Sequence, residues 1–375
     1  MRLRREGPRG LRGVRRARLY QTLRTAHLEQ ALLLSPASII YRSKRYDFDE
    51  VLAARLNLTQ AGPVAAALML ARSTVAEMEI NEPLMRYAIR GSALAVGALR
   101  LRGRLGGPKA MIVTYAIENL NPFGPEGKAS AKRKLSSIVD TFLTRFVWGQ
   151  VDRIVFGTPA SRELYREALG PLRAGAEEHN ILTLPELCSC SRAQVDDDRV
   201  IFLGAFSARK GFPLLVEAWP KVLECRPSAR LTILGKGPLE DAARSVAQRH
   251  SSVELIIDPS REEIHRQLRR ATLLALPSQP MPSWKEQLGL PITEALAHGC
   301  AIVTTSETGL SEWLAKEGHA VVVPDSDPAA LAHTIATMLR IHPSRQEVLE
   351  SLPIRDGRLA ADDWMFRFPY TSRTP

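Results

Sequence analysis

Aromatic side chains are scarce, 6% of 375 residues, so stacking platforms for bases or sugars must be few. Cysteine is scarcer still. Cys188, Cys190, Cys225 and Cys300 include no CxxC pair, and no paired histidines stand at metal spacing. That argues against a zinc site and against a disulfide framework, and it fits a reduced cytoplasmic setting. No apolar run approaches the roughly 20 residues that span a bilayer, Pro63 to Ala71 being among the longest. A secretory apolar core is also missing behind the basic N-terminus, so any membrane contact would be peripheral. A complete GxGxxG fingerprint is absent; an oxidoreductase reading could use only Gly235 and Gly237. No DxD-like metal motif sits in the candidate cleft strands, and Asp196–Asp198 falls in a linker.

Acid is lacking in one place above all. Within the first 24 residues Glu6 alone faces Arg2, Arg4, Arg5, Arg9, Arg12, Arg15, Arg16, Arg18 and Arg24. Most of the net charge of +11 therefore sits in a basic arm over residues 1–37. Such an arm reads either as a solvated leader, including a start placed too early, or as a basic surface for anionic lipid headgroups. No base-reading or RNA-binding motif accompanies the charge, so nucleic acid is not an expected partner.

What is present describes a globular protein, 45% hydrophobic and 24% charged, long enough for two domains. The second half alternates strand and helix. Strands are expected at Val200–Leu203, Leu231–Leu234, Val253–Ile257, Leu273–Leu276 and Ala301–Thr304, with helices over Phe212–Cys225, Leu239–His250, Arg261–Arg270 and Pro291–His298. In the first half, strands are expected at Ser38–Tyr41, Ala76–Ile80, Ala110–Tyr115 and Arg153–Phe156. Helices are expected at Asp49–Leu56, Leu84–Leu101 and Ala129–Trp148, and 170–198 reads as an irregular linker. The pattern is α/β, two Rossmann-like doubly wound domains facing across a cleft. The expected division is an arm over 1–37, an acceptor-side domain over 38–185, a nucleotide-sugar-binding domain over 196–350, and a tail over 351–375 with the option of crossing back to the first domain.

The chemistry concentrates between Pro277 and Glu294. A Pro- and Ser-rich loop follows a strand, and Glu286 and Gly289 precede Pro291, a residue suited to the first turn of a helix. Gly289 lacks a Cβ and lets a ligand approach the backbone. The amides of Gly289, Leu290 and the next turn point at any anion placed before the helix. Glu286 and Glu294 flank that anion site, and acids repel phosphate, so they make better sense as acceptors for sugar hydroxyls. Spacing alone leaves open the plainer reading that Glu294 favours its own helix dipole.

The run from Glu286 to Glu294, EQLGLPITE, followed by ALAHGCAIVTT to Thr304, resembles the E-x7-E motif of glycosyltransferase family 4. The resemblance extends to VIFLGAFSARKG (Val200–Gly211), LTILGKGP (Leu231–Pro238), LLALPS (Leu273–Ser278) and SETGLSEWL (Ser306–Leu314). It implies a GT-B fold and a retaining hexosyltransferase that uses a nucleotide-diphosphate sugar, needs no metal or other cofactor, and acts on a glycan, lipid-linked or small-molecule acceptor. Glu294 would hold the ribose hydroxyls and Glu286 the donor sugar, while Gly289 and Leu290 offer amides to the phosphates. Lys210 would offset charge on the leaving diphosphate, with Arg209 beside it and Gly204, Thr308 and Gly309 completing the donor loops. Location at the inner face of the membrane would suit a lipid-linked acceptor.

Departures from the family pattern are specific. Ala205 stands where an arginine is usual, and Gln287 replaces a glycine. Residues 1–37 show no opening strand with a glycine loop, and an HxH-like stretch is missing. Acceptor-side candidates are instead Glu118 and Asn119 at the end of an expected strand, and Glu82 after another. His179, His265, His298 and His319 read as structural or exposed. Ala205 and the atypical first domain motivate an alternative, a catalytically silent GT-B protein that binds nucleotide or glycan or partners an active transferase.

Overall fold

A computed structural model of the chain describes residues 11, 13–45, 48–123, 131–190, 196–282 and 284–367. Two compact units result. One runs to Leu182 and takes up again at Arg358, and the other is Thr183–Gly357.

The first unit holds β1 (Arg16–Leu23), β2 (Ser38–Lys44), β3 (Leu58–Gln60), β4 (Glu77–Ile80), β5 (Met111–Ala116), β6 (Arg153–Phe156) and β7 (Glu177–Asn180). They form one parallel sheet in the order β3-β2-β1-β4-β5-β6-β7. The second holds β8 (Arg199–Leu203), β9 (Arg230–Gly235), β10 (Val253–Ile257), β11 (Leu273–Leu276), β12 (Ala301–Thr305) and β13 (Ala320–Val322). Its order, β10-β9-β8-β11-β12-β13, is likewise parallel. Each sheet grows outward from its first strand and then reverses, between β1 and β4 in one unit and between β8 and β11 in the other. At such a reversal the loops beyond the strand C-termini diverge, which is where doubly wound sheets bind ligands. Every residue of β8 and of β11 is buried, as strands covered on both faces require. These are the two Rossmann-like units of a GT-B fold.

The expectation of a basic arm over residues 1–37 is corrected. β1 is an interior strand, and the helix Thr25–Leu33 follows it. Of the arginines that read as solvated charge, Arg18 is paired inside the fold, Arg16 is paired half-buried and Arg15 is paired at the surface. Arg18 is 1% exposed and bonds Glu79 and Asp362, while Arg15 and Arg16 reach Glu77 at 3.3 and 2.8 Å. Glu77 and Glu79 lie on β4, beside β1 in register. The sequence shows the arginines clustered but not the acids of the neighbouring strand. Arg2, Arg4, Arg5, Arg9 and Arg12 lie outside the described residues.

Other differences follow from the same blindness. β7 runs EEHN along the sheet edge inside the stretch expected to be irregular; an edge strand needs no apolar pattern. The helix Pro159–Leu169 starts at Thr158, whose side chain accepts from Ser161 N at 3.1 Å. The helix expected at Leu84–Leu101 begins later, at Ile89, and runs to Arg104, and that expected at Asp49–Leu56 is only Glu50–Ala53. The last helix, Gly357–Phe366, belongs to the first unit: Ala361, Met365 and Phe366 share a core with Val113 and Val155, and Arg358 pairs with Glu79. No helix among the described residues is long and apolar enough to cross a membrane.

Candidate active site

Four segments converge at the reversal point of the second unit: the loops after β8, β11 and β12, and the start of the helix Leu290–Ala297. After β8 the chain passes Gly204 and makes a turn of 3-10 helix, Ala208–Lys210, that ends at Gly211 with φ of 67°. A Cβ at Gly211 would lie 1.7 Å from the Pro277 carbonyl oxygen, so only glycine lets this turn press against the end of β11. Gln279 N donates to Arg209 O at 3.0 Å across the same seam. The result buries Lys210 and joins its ammonium to the Glu286 carboxylate. Ser278 Oγ donates to that carboxylate at 3.1 Å. Burial pulls the Lys210 pKa below the ordinary lysine value, and Glu286 works in the opposite direction.

Beyond Glu286 the loop is clamped from β12's side. Thr308 Oγ1 donates to Leu288 O at 2.8 Å, and Gly309 N to Gln287 O at 2.9 Å. Gly289, with φ of 74°, then caps the helix Leu290–Ala297, which has Pro291 in its first turn. A Cβ on Gly289 would fall 2.9 Å from Ile292 Cδ1. Pro291 has no N–H and Ile292 N donates to Gly289 O at 2.7 Å, so the Gly289 and Leu290 amides are the ones this helix start can turn to an anion, at the positive end of its dipole. Glu294 sits one turn further on, with its carboxylate held by Arg261 of the helix Arg261–Arg270.

Sequence reasoning therefore picks residues that the fold gathers: Lys210, Arg209, Gly204, Glu286, Gly289, Leu290, Glu294, Thr308 and Gly309. It passes over Ser278, Arg261 and Trp284. The Arg209 guanidinium lies 4.7 Å from the Trp284 ring centroid and Lys210 Nζ 5.4 Å from it. Arg209 is thus half-buried on an aromatic face beside Lys210, although Ala205 removes the usual arginine. The one aromatic in the loop, with a lysine following it, is the sequence signal that could have marked this.

In the first unit the acceptor-side candidates follow β4 and β5, at the strand C-termini. Glu82 is buried and held by neighbouring donors. Its Oε2 accepts from Ile117 N at 3.1 Å, Glu118 N at 3.0 Å and the Tyr165 hydroxyl at 3.2 Å. Burial, with the neighbouring Glu118 charge second, raises its pKa to about 8. Glu118 Oε1 accepts from the amides of Asn119 and Leu120, both at 3.2 Å, shaping the turn, and Asn119 is buried. A cavity of about 580 Å³ in this unit is lined by Val14–Arg16, Pro36–Ser38, Asn57 and Glu77. Those residues lie at the N-terminal ends of the strands, the edge opposite to that where such sheets bind ligands.

Residues 197–340 match the family model "Glycosyl transferases group 1". The chain is 27% identical over 270 residues to the putative colanic acid biosynthesis glycosyltransferase WcaL of Salmonella typhimurium, covering 64% of this chain and 65% of that protein. It is 32% identical over 149 residues to the D-inositol 3-phosphate glycosyltransferase of Corynebacterium efficiens, covering 37% and 34%. These alignments span less than two thirds of either relative. In fold the chain resembles HepE of Anabaena, solved in complex with UDP, with a TM-score of 0.64 at 14% identity over 94% of this chain and 95% of that one.

Proposed function

We propose that this chain, which carries the GT-B fold and matches the group 1 glycosyl transferase model through residues 197–340, is a retaining hexosyltransferase drawing on a nucleotide-diphosphate sugar. The observation that carries the reading is the buried Lys210–Glu286 pair set beside the glycine-capped start of the helix Leu290–Ala297. The amides at that helix start receive the diphosphate. Lys210 and Arg209 offset the charge that builds on it as the glycosidic bond breaks, so the reaction centre needs no metal. Glu286 then turns part of its interaction to the donor sugar, and Glu294 exchanges Arg261 for the ribose hydroxyls. The sugar passes through an oxocarbenium-like state.

The acceptor is a glycan or a lipid-linked or polyol hydroxyl. The relatives' names support that class, one naming colanic acid biosynthesis and the other D-inositol 3-phosphate. Glu118 and Asn119 are the acceptor-side residues to examine first. Work at a membrane face would be through peripheral contact with anionic headgroups.

Lys210→Ala and Glu294→Ala are each expected to lower sugar transfer at least about a hundredfold, the scale on which removal of a charge-stabilising donor acts, with unchanged circular dichroism. Full transfer by either variant would refute the site. Sugar binding without transfer by the wild-type chain would favour the silent reading that Ala205 raises.

A further inference from the structure

Away from the donor loops, the second unit gathers two cysteines and two histidines from three separate segments. Cys188 and Cys190 belong to the irregular stretch at the start of the unit, His265 to the helix Arg261–Arg270, and His298 to the C-terminal cap of the helix Leu290–Ala297. Their ligand atoms all lie within 4.8 Å of one another. Cys188 Sγ is 2.7 Å from Cys190 Sγ and 3.9 Å from His265 Nδ1, and that nitrogen is 3.0 Å from His298 Nε2. A tetrahedral zinc with bonds of about 2.3 Å to sulfur and 2.0–2.1 Å to nitrogen sets its ligand atoms roughly 3.3–3.8 Å apart. The observed separations bracket that spacing.

The histidine chemistry points the same way. His298 Nδ1 lies 2.7 Å from the Glu294 carbonyl oxygen. A carbonyl can only accept, so the proton sits on Nδ1 and the lone pair on Nε2 faces the cluster. Zinc-binding histidines are commonly oriented by such an outer hydrogen bond. His298 is buried, and the other three groups are half-buried. Spacing arguments overlook the set because Cys188 and His265 stand 77 residues apart, and His265 and His298 a further 33.

We propose that Cys188, Cys190, His265 and His298 form a structural zinc site. Two thiolates and two neutral imidazoles match the charge and the borderline-soft character of Zn²⁺, and four protein ligands leave no open coordination position for catalysis. The ion would pin the 188–190 segment, where Cys188 N already donates to Ala297 O at 3.0 Å, to two helices. Those helices carry Arg261 and Glu294, the ion pair of the donor site. The metal thus holds the donor helix from behind without touching the reacting groups. The inference does not depend on sugar transfer, because its test reads metal content.

The test uses the full chain, expressed with zinc in the medium and purified under reductant. Elemental analysis is expected to find about one zinc per chain. In Cys188→Ser/Cys190→Ser that content falls below about a tenth, whereas Cys225→Ser, which changes an exposed cysteine, retains it. Should the double variant fail to fold, wild-type chain stripped by a chelator and titrated with CoCl₂ decides the matter. A tetrahedral cobalt spectrum with thiolate-to-cobalt charge transfer, displaced by ZnCl₂, supports the site. Zinc well below one per chain together with a featureless or octahedral cobalt spectrum would overturn it. So would loss of two hydrogens at Cys188 and Cys190 in the protein purified under reductant, because a disulfide would then occupy the thiols.

Discussion

At the scale of single residues, the first unit's most informative group is Glu82. Its carboxyl serves three donors, yet burial outweighs them and holds the pKa at about 8. Below its ordinary value of 4.5 the acid is protonated in folded and unfolded chains alike, and no difference arises. Between 4.5 and about 8 the folded chain keeps a proton that the unfolded chain has released. Stability therefore falls as pH rises through that window, by up to ~1.4 kcal/mol per pH unit. Glu82→Gln, which keeps an oxygen acceptor and cannot ionise, should flatten the profile. Urea midpoints measured at about pH 5 and about pH 8 check this; an unchanged slope in the variant would assign the pH dependence elsewhere. Arg18 teaches a related lesson. A guanidinium with two carboxylates in contact is tolerated inside a sheet, whereas the same residue in a bare sequence signals solvent.

Among the elements, the turn Ala208–Lys210 governs the site, because it sets Lys210 against Glu286. Gly211 is the residue on which it depends. Gly211→Ala would drive a methyl into the Pro277 carbonyl at a left-handed φ. The expected loss is at least ~2–3 kcal/mol of stability, and Lys210 would leave its partner. Gly97, inside the helix Ile89–Arg104 and with open space within 4 Å of where a Cβ would stand, is the control. Gly97→Ala should be neutral or stabilising by up to about 1 kcal/mol. Chemical denaturation of both variants separates a specific steric clash from general glycine loss; equal effects would remove Gly211 from its assigned role.

The same elements show what can be read from a chain alone. β11 and the Val200–Leu203 run of β8 are continuously apolar and closed by Pro277 and Gly204, so these strands and the helix Phe212–Cys225 that follows β8 are legible. β1 is not, because RARLYQTL conceals its burial behind arginines whose partners lie on β4 and in the last helix. β7 escapes as a polar edge strand, and although the tail's return to the first unit is an option the sequence leaves open, the helix Gly357–Phe366 and the partners of Asp362 and Arg358 far back in sequence are not legible. In the donor site, Lys210, Glu286, Gly289 and Glu294 carry a pattern. Trp284 leaves a faint signal as the one aromatic of its loop, whereas Ser278 and Arg261 acquire their places only through folding, as do Cys188, Cys190, His265 and His298.

On the scale of the whole molecule, two units share the same parallel-sheet logic and each has candidate site residues at its strand C-termini. The second unit concentrates cations and helix amides there, suited to a diphosphate. The first sets the turn of Glu118 and Asn119 after β5, held by the buried Glu82 carboxyl through the Ile117 and Glu118 amides. The closing helix Gly357–Phe366 completes the first unit's core, and the Arg18–Asp362 and Arg358–Glu79 pairs fix it there. Removing one member of such a buried network costs roughly 3–5 kcal/mol, so the last helix belongs to the minimal folded chain.

Donor recognition by the Lys210–Glu286–Gly289–Glu294 constellation is the claim on which the rest stands. Calorimetric titration of UDP-, GDP- and ADP-sugars into the full chain and into Glu294→Ala tests it directly. One nucleotide series should bind the wild-type chain, and Glu294→Ala should bind it at least about tenfold more weakly, ~1.4 kcal/mol. Equal affinity in the two proteins, or no binding of any series to the wild type, would contradict it.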